Sequence, residues 1–386
     1  MFHPITFSSD GYWGLIELFK MKILIISQHI FPMQTPRAHR TTELMLELAK
    51  RGHDVSVYAV LGKYDYCSFV NDTGINIHPI PLKWQMIPYS SDLDVKRSLV
   101  DKVLGRVLGA NFEFPEIEFK ERIIECIKNE KDVDLLISIA DPHHIHWGCS
   151  KAKKALGNSF PKKWIADCGD PFMMDNKLTS HKPKFEKVER EFCESADFIT
   201  VPISSAPQMY YKEYRDKIKV IPQGFRFNLP NGEDFKTINE VPTFVFAGTF
   251  LSDIRNPTNL FEFLVSYDKP FKFVVYTKYL ELISPFIQLL GDKLEIREQV
   301  SRNDLLIELK KMDFLLNLEN INSPGQTPSK LIDYSIANRP ILSLNPNSTN
   351  FELMKGFLEG DFEGALKVEN LEQYKIENVV NKFLAL

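Results

Sequence analysis

The feature that most constrains this chain is a repeating unit: a short apolar run, a polar loop, then a helical pattern. Lys22–Ser27 reads as a buried strand, and Arg40–Lys50 as a helix pairing Leu44 with Leu48 and Met45 with Ala49 at i, i+4. Gly52 is expected to stop that helix as a left-handed cap, with Asp54–Val60 the next strand. Further strands are expected at Ile75–Ile80, Leu135–Ala140, Trp164–Asp167, Phe198–Val201 and Ile218–Ile221, with helical patterns between most of them. Alternation of this kind implies parallel βαβ units, hence an α/β sheet covered on both faces.

The rhythm breaks at the turn-rich stretch Pro230–Thr237. It restarts with strands expected at Thr243–Ala247, Phe271–Thr277, Leu294–Ile296, Phe314–Leu318 and Pro340–Leu344. The reading is therefore two Rossmann-like, doubly wound domains, at 21–229 and 242–386, joined by a linker at 230–241, the second closing on C-terminal helices. Met21 precedes the first strand directly, so residues 1–20 are expected to be an extension or a start-site artefact. Open α/β sheets bind ligands at the carboxyl ends of their strands, where helix N-termini point. Two such domains facing across a cleft would carry their chemistry in the loops just after each strand.

Composition narrows the class. A net charge of −4 argues against a nucleic-acid partner, which needs a basic surface. The five cysteines are odd in number and include no C-x-x-C pair, which argues against a disulfide framework or a cysteine-rich zinc site. No apolar run reaches the roughly 20 residues that span a bilayer. The first twenty residues lack the pattern of a signal peptide, and a cytoplasmic protein is expected.

In the second domain, the segment after Phe314–Leu318 carries the strongest signal. Gly325 lets backbone approach a ligand, Thr327 can cap a helix, Pro328 suits its first position, and Ser329 and Lys330 fall in its first turn. A cation there opposes the helix dipole, and a bound diphosphate would resolve the conflict. Asp333 lies one turn on, within reach of a ribose hydroxyl pair; the alternative is a capped helix with a solvated lysine and aspartate. After Thr243–Ala247 come Gly248 and Thr249, then Arg255 beside the helix start Asn256-Pro257-Thr258. Its guanidinium can fork onto phosphate oxygens or simply be solvated.

In the first domain, Asp141 is expected to cap a helix with Pro142 first, placing His143 and His144 in the first turn. A helix N-terminus favours neutral imidazole, suited to contact a sugar or acceptor; a structural loop is the alternative. Metal binding by His143 and His146 has no evident carboxylate or cysteine partner in the sequence. Asp170 could orient the acceptor or the loop, or cap a turn; Arg37 and Arg40 could face donor phosphate or an anionic acceptor, with an ordinary first-turn residue the alternative for Arg40.

Pro328–Ser343 resembles the donor-binding segment P-S-K-L-x-E-Y-x-A-x-G-x-P-I-L of glycosyltransferase family 4, the retaining GT-B enzymes. Phe31–Arg40, Glu47–Val55, Trp164–Phe172, Glu189–Thr200 and Val220–Phe225 resemble further segments of that family, in order, from about Met21 to Leu344. The resemblance implies a GT-B fold and a retaining, metal-independent hexosyl-type transfer from a nucleotide-sugar donor to a glycan or lipid-linked acceptor in cell-surface polysaccharide assembly. It implies no cofactor beyond the donor. It makes Lys330 and Arg255 diphosphate contacts, gives Asp333 the ribose and the Glu298–Val300 main chain the base, and sets Asp170 at the R-D-P aspartate. Four positions depart from the pattern: Asp333 for glutamate, Gly325 for the upstream glutamate, Asn338 for glycine and Gly169 for arginine.

Two D-x-D triplets do not suit a metal-dependent reading. Asp132-Val-Asp134 precedes its strand, at the wrong end for a ligand, and Asp92-Leu-Asp94 reads as capping. Residues Asp94–Leu108 form a basic amphipathic pattern that could lie on anionic lipid at the inner membrane face or pack on the first domain. Two rival readings remain on the same fold: a sugar-nucleotide epimerase, and a catalytically degenerate binding or scaffold subunit.

Overall fold

The computed structural model describes residues 20–33, 35–83, 113, 115–169, 171–173, 183–227, 239–320 and 329–386, with Ser329 through its backbone only. The chain forms two compact units that divide between Val220 and Ile221. The first holds seven parallel strands in the order β3-β2-β1-β4-β5-β6-β7. These are β1 Lys22–Ser27, β2 Asp54–Ala59, β3 Asn76–Pro79, β4 Leu135–Ile139, β5 Lys163–Asp167, β6 Phe198–Val201 and β7 Ile218–Val220. The second holds five parallel strands in the order β10-β9-β8-β11-β12. These are β8 Thr243–Ala247, β9 Lys272–Tyr276, β10 Leu294–Arg297, β11 Phe314–Leu318 and β12 Ile341–Leu344.

The strands form where the sequence supplies short apolar runs, because a parallel strand is buried on both faces. β8 illustrates this. Phe244 and Phe246 point into one core with Phe273 and Phe314, while Val245 and Ala247 pack into another with Leu309 and Tyr334. Phe244 stacks on Phe273 and Phe314 at centroid distances of 4.5 and 4.7 Å.

In the first unit, helix α1 spans Pro36–Lys50 and α2 Cys67–Thr73. Thr35 caps α1 by accepting from Ala38 N at 3.2 Å, and Pro36 takes the first turn, four residues ahead of the expected start. Gly52, at φ 86°, ends this helix in the left-handed region. Helices α3 Ile117–Lys128, α4 His144–Leu156 and α5 Lys184–Ser195 follow. α3 and α4 pack so closely at Gly148 that a Cβ there would lie 2.7 Å from Ile123 Cβ and 3.0 Å from the Phe119 carbonyl. Gly148→Ala is expected to destabilise the first unit by about 1–3 kcal/mol through overpacking; an unchanged urea midpoint would contradict that close fit.

The second unit carries α6 Thr258–Ser266, α7 Ser284–Leu290, α8 Arg302–Lys310, α9 Ser329–Ala337, α10 Phe351–Leu358 and α11 Ile376–Leu384. α9 ends at Asn338, φ 54°, in the left-handed conformation that asparagine tolerates best after glycine. This explains how asparagine serves where the resemblance expects glycine.

The start of α4 differs from expectation. It begins at His144 with His143 in the cap position, and no side chain makes a cap hydrogen bond. Asp141 is exposed and does not cap, and the peptide bonds on both sides of it are cis. The Asp94–Leu108 pattern and most of the 230–241 linker lie outside the described residues. Asp134, of the first D-x-D triplet, accepts from Lys22 N at 2.8 Å and pairs with Lys162 at 2.7 Å, a structural tie at the amino edge.

Candidate functional site

In each sheet the strand order reverses at a switch point, between β1 and β4 and between β8 and β11, where doubly wound folds hold ligands. In the second unit the loops after β8 and β11 carry the two cations singled out from sequence. Tyr334, fully buried on α9, ties that helix to the end of β8: its hydroxyl accepts from Ala247 N at 3.0 Å.

Lys330 sits in the first turn of α9, its Nζ buried 4.6 Å from the centre of the Phe246 ring. No described group hydrogen-bonds to that ammonium. Burial first, and the Arg255 charge second, push its pKa down to about 7. Arg255 is held by its own backbone, which exchanges hydrogen bonds with Leu251 (N to O 2.9 Å, and Leu251 N to Arg255 O 3.3 Å). Its Nε is also buried without a partner among the described residues, and burial lowers its pKa. Two neighbouring cations are thus buried here with no anion among the described residues, an arrangement that costs free energy.

Gly248, at φ 149°, turns the chain out of β8 in a conformation suited to glycine, and Thr249 is half-buried beside it. Asn256 Oδ1 accepts from Thr258 N at 3.0 Å at the start of the following helix, where Pro257 holds the cap position. Val300 is 44% exposed in the loop after β10. Asp333 faces Arg302, whose Nε and Nη2 lie 2.8 and 2.7 Å from Oδ1. Burial raises the Asp333 pKa while the Arg302 charge opposes the rise. Gly325, Thr327 and Asp170 lie outside the described residues, as does the Ser329 side chain.

The first unit corrects several sequence expectations. Arg40 is not at a ligand surface: 1% exposed, it forks onto Asp167 (Nε to Oδ2 2.7 Å, Nη2 to Oδ1 2.6 Å). Arg37 stays partly exposed, 3.4 Å from the same carboxylate, and a Cβ at Gly169 would collide with its guanidinium. Arg37 thus fills the room left where the resemblance expects arginine at 169.

His144 packs edge-on against Trp147 at 4.2 Å, and His143 against Phe172 at 5.8 Å. Both are buried within this aromatic cluster. The expectation that no cysteine lies near these histidines is also overturned. Cys168 Sγ is 3.3 Å from His146 Nε2, and His143, His146 and Cys168 bring their ligand atoms within 4.8 Å of one another. A hydrogen-bonded chain already occupies this cluster, from Trp164 Nε1 to Ser138 Oγ (2.7 Å), to His146 Nδ1 (2.8 Å), to Cys168.

Sequence reasoning missed two residues. His29, two positions past β1, has its Nδ1 buried without a partner among the described residues and its pKa lowered by burial, against the Asp141 charge. Its signal was its place at the first switch point. Arg302 had only a weak signal, a cation opening the helix after the β10 loop.

This pair of parallel sheets defines the class: the chain has the two-domain α/β fold of GT-B glycosyltransferases. It is similar in structure to a glycosyltransferase from Rickettsia africae (TM-score 0.59, 14% identity, covering 95% of this chain and 97% of that one). It is also similar to the lipopolysaccharide outer core galactosyltransferase WaaB (0.55, 13%, 94% and 98%) and to Arabidopsis thaliana UGT89C1, solved with UDP-L-rhamnose (0.55, 12%, 95% and 98%). Neither a protein-family model nor a curated protein matches the sequence. Among the described residues, no helix is long and apolar enough to cross a membrane.

Proposed function

We propose that this protein transfers a sugar from a nucleoside-diphosphate donor to a hydroxyl of a glycan or lipid-linked acceptor, with retention and without a metal ion. The observation that carries the reading is the buried pair Lys330 and Arg255 at the β8/β11 switch point, which has no anionic partner among the described residues. A diphosphate supplies the missing anion. As the bond between sugar and phosphate breaks, negative charge grows on the departing diphosphate, and fixed cations in a dry site stabilise it most at that moment. The start of α9 adds its dipole to the same oxygens. Asp333 holds the ribose. Retention rests on the resemblance of Pro328–Ser343 and metal independence on the placing of the two D-x-D triplets, and the structural likeness to the lipopolysaccharide galactosyltransferase WaaB and to a complex with UDP-L-rhamnose agrees with a nucleotide-sugar donor and a surface-glycan acceptor. Action at the inner membrane face fits an acceptor anchored in lipid.

The test is a thermal-shift and calorimetric panel of UDP-, GDP-, ADP- and CMP-sugars, repeated across pH. One donor class is expected to bind. Lys330 is half neutral near pH 7 when free and gains a phosphate partner when bound, so binding takes up a proton. Affinity is therefore highest below pH 7 and falls as pH rises through it, approaching about tenfold per unit at the steepest. No binding by any of the four, or affinity that climbs with pH, would sink the reading. Product forming only when acceptor is added separates transfer from epimerisation.

A further inference from the structure

Arg302 opens α8 directly after Ser301, which caps that helix through Asp304 N at 3.2 Å. Its guanidinium crosses to α9 and meets Asp333 with both contacts on a single oxygen, Oδ1. The ring of Phe225 lies 5.1 Å away and limits the swing of that guanidinium. Both charged side chains are largely buried, 17% and 16% exposed. The other carboxylate oxygen, Oδ2, takes no hydrogen bond among the described residues. Lys330 lies one helical turn away on the same face of α9.

These facts restrict what Oδ2 can meet. Arg302 already balances the carboxylate charge, so a second cation gains little there. A neutral hydrogen-bond donor satisfies the open oxygen without adding charge, and a vicinal diol offers two such donors. We infer that Arg302 is a positioning residue: it fixes the short Asp333 side chain so that Oδ2 faces the donor's ribose diol, and it thereby sets a preference for ribonucleotides over dideoxyribonucleotides. This rests on the donor reading above and adds the residue that makes its ribose contact selective. Without Arg302 the aspartate, one methylene shorter than glutamate, is free to rotate and its burial favours the protonated form. A site built to accept from a hydroxyl rejects the analogue that lacks it, because the buried acceptor is left unpaired.

The experiment uses calorimetry on the full chain, with UDP, GDP and ADP, their 2′,3′-dideoxy counterparts, and inorganic pyrophosphate as probes. The wild type is expected to prefer the ribonucleotide by about 10- to 100-fold. Arg302→Met should bring that ratio close to one while pyrophosphate affinity stays within about twofold, since pyrophosphate does not reach the ribose contact. Arg302→Lys, which restores the charge without the fork, should recover an intermediate ratio. A wild-type ratio in Arg302→Met overturns the assignment. If that variant does not fold, a wild-type ratio in Arg302→Lys overturns it instead. A wild type that binds ribo and dideoxy forms equally overturns it while leaving the diphosphate site standing, whereas a wild type that binds no nucleotide or pyrophosphate removes the donor reading itself.

Discussion

Replacing Lys330 with methionine is expected to make the free protein more stable and to weaken sharply its hold on a diphosphate. The two effects have one cause. The ammonium is buried over Phe246 without a described anionic partner, and its pKa falls from 10.5 to about 7. The sign follows from proton binding. Between pH 7 and 10.5 the unfolded chain holds this proton more tightly than the fold does, so stability rises with pH across that window and the penalty is greatest below it. At about 1.36 kcal/mol per unit, the shift corresponds to a cost on the order of 5 kcal/mol below pH 7. Methionine, of similar length and without charge, removes that cost and keeps the contact with Phe246. The melting temperature should rise at pH 6, by about 2–4 °C per kcal/mol recovered, and by much less at pH 10. Pyrophosphate affinity should fall by about 100-fold and transfer by a similar or larger factor, because a charge-assisted contact to the departing phosphate is gone. A variant that melts earlier at pH 6, or that binds pyrophosphate as the wild type does, would show that Lys330 is not a counter-charge awaiting an anion.

The same unfavourable placement explains why Lys330 stands out in the sequence. A lysine in the first turn of a helix, just after a buried strand, contradicts a local rule, and such contradictions concentrate where a ligand supplies the missing term. The strands were legible for a plainer reason. Each is a short apolar run bounded by turn residues, as in Phe314–Leu318, and the parallel sheet buries both faces, so the pattern needs no knowledge of its neighbours. What escaped is whatever depends on a distant partner. Asp167 and Arg40 are 127 residues apart, and Arg302 and Asp333 are 31 apart; nothing in either local pattern announces the other. Cys168 meets His146 from a neighbouring strand end, so spacing along the chain gave no hint of a cysteine among the histidines. Asp141 shows the reverse failure: it has the residue type and position of a cap, yet the helix begins at His144 and the aspartate faces solvent.

The largest loss of stability is expected from breaking the Arg40–Asp167 pair. Asp167 ends β5 at the carboxyl edge of the first sheet, fully buried. Arg40 reaches it from α1 with two donors, and Thr200 on β6 donates to Oδ1 at 2.6 Å. One carboxylate therefore fastens a helix and two strands at the edge where the loops must be held in place, with Arg37 resting against it from the helix start. Attraction and desolvation nearly cancel for such a pair, so its presence adds little net stability; removing one member leaves the other charged and dry. Arg40→Met is thus expected to cost about 3–5 kcal/mol, read as a fall in urea midpoint at constant slope. Arg40→Met with Asp167→Asn should recover part of this, because the stranded charge is gone while asparagine can still accept from Thr200. If Arg40→Met costs under about 1 kcal/mol, the guanidinium is not closing a buried charge. If the double variant is as unstable as the sum of its parts, the loss lies in packing of the long arginine stem instead.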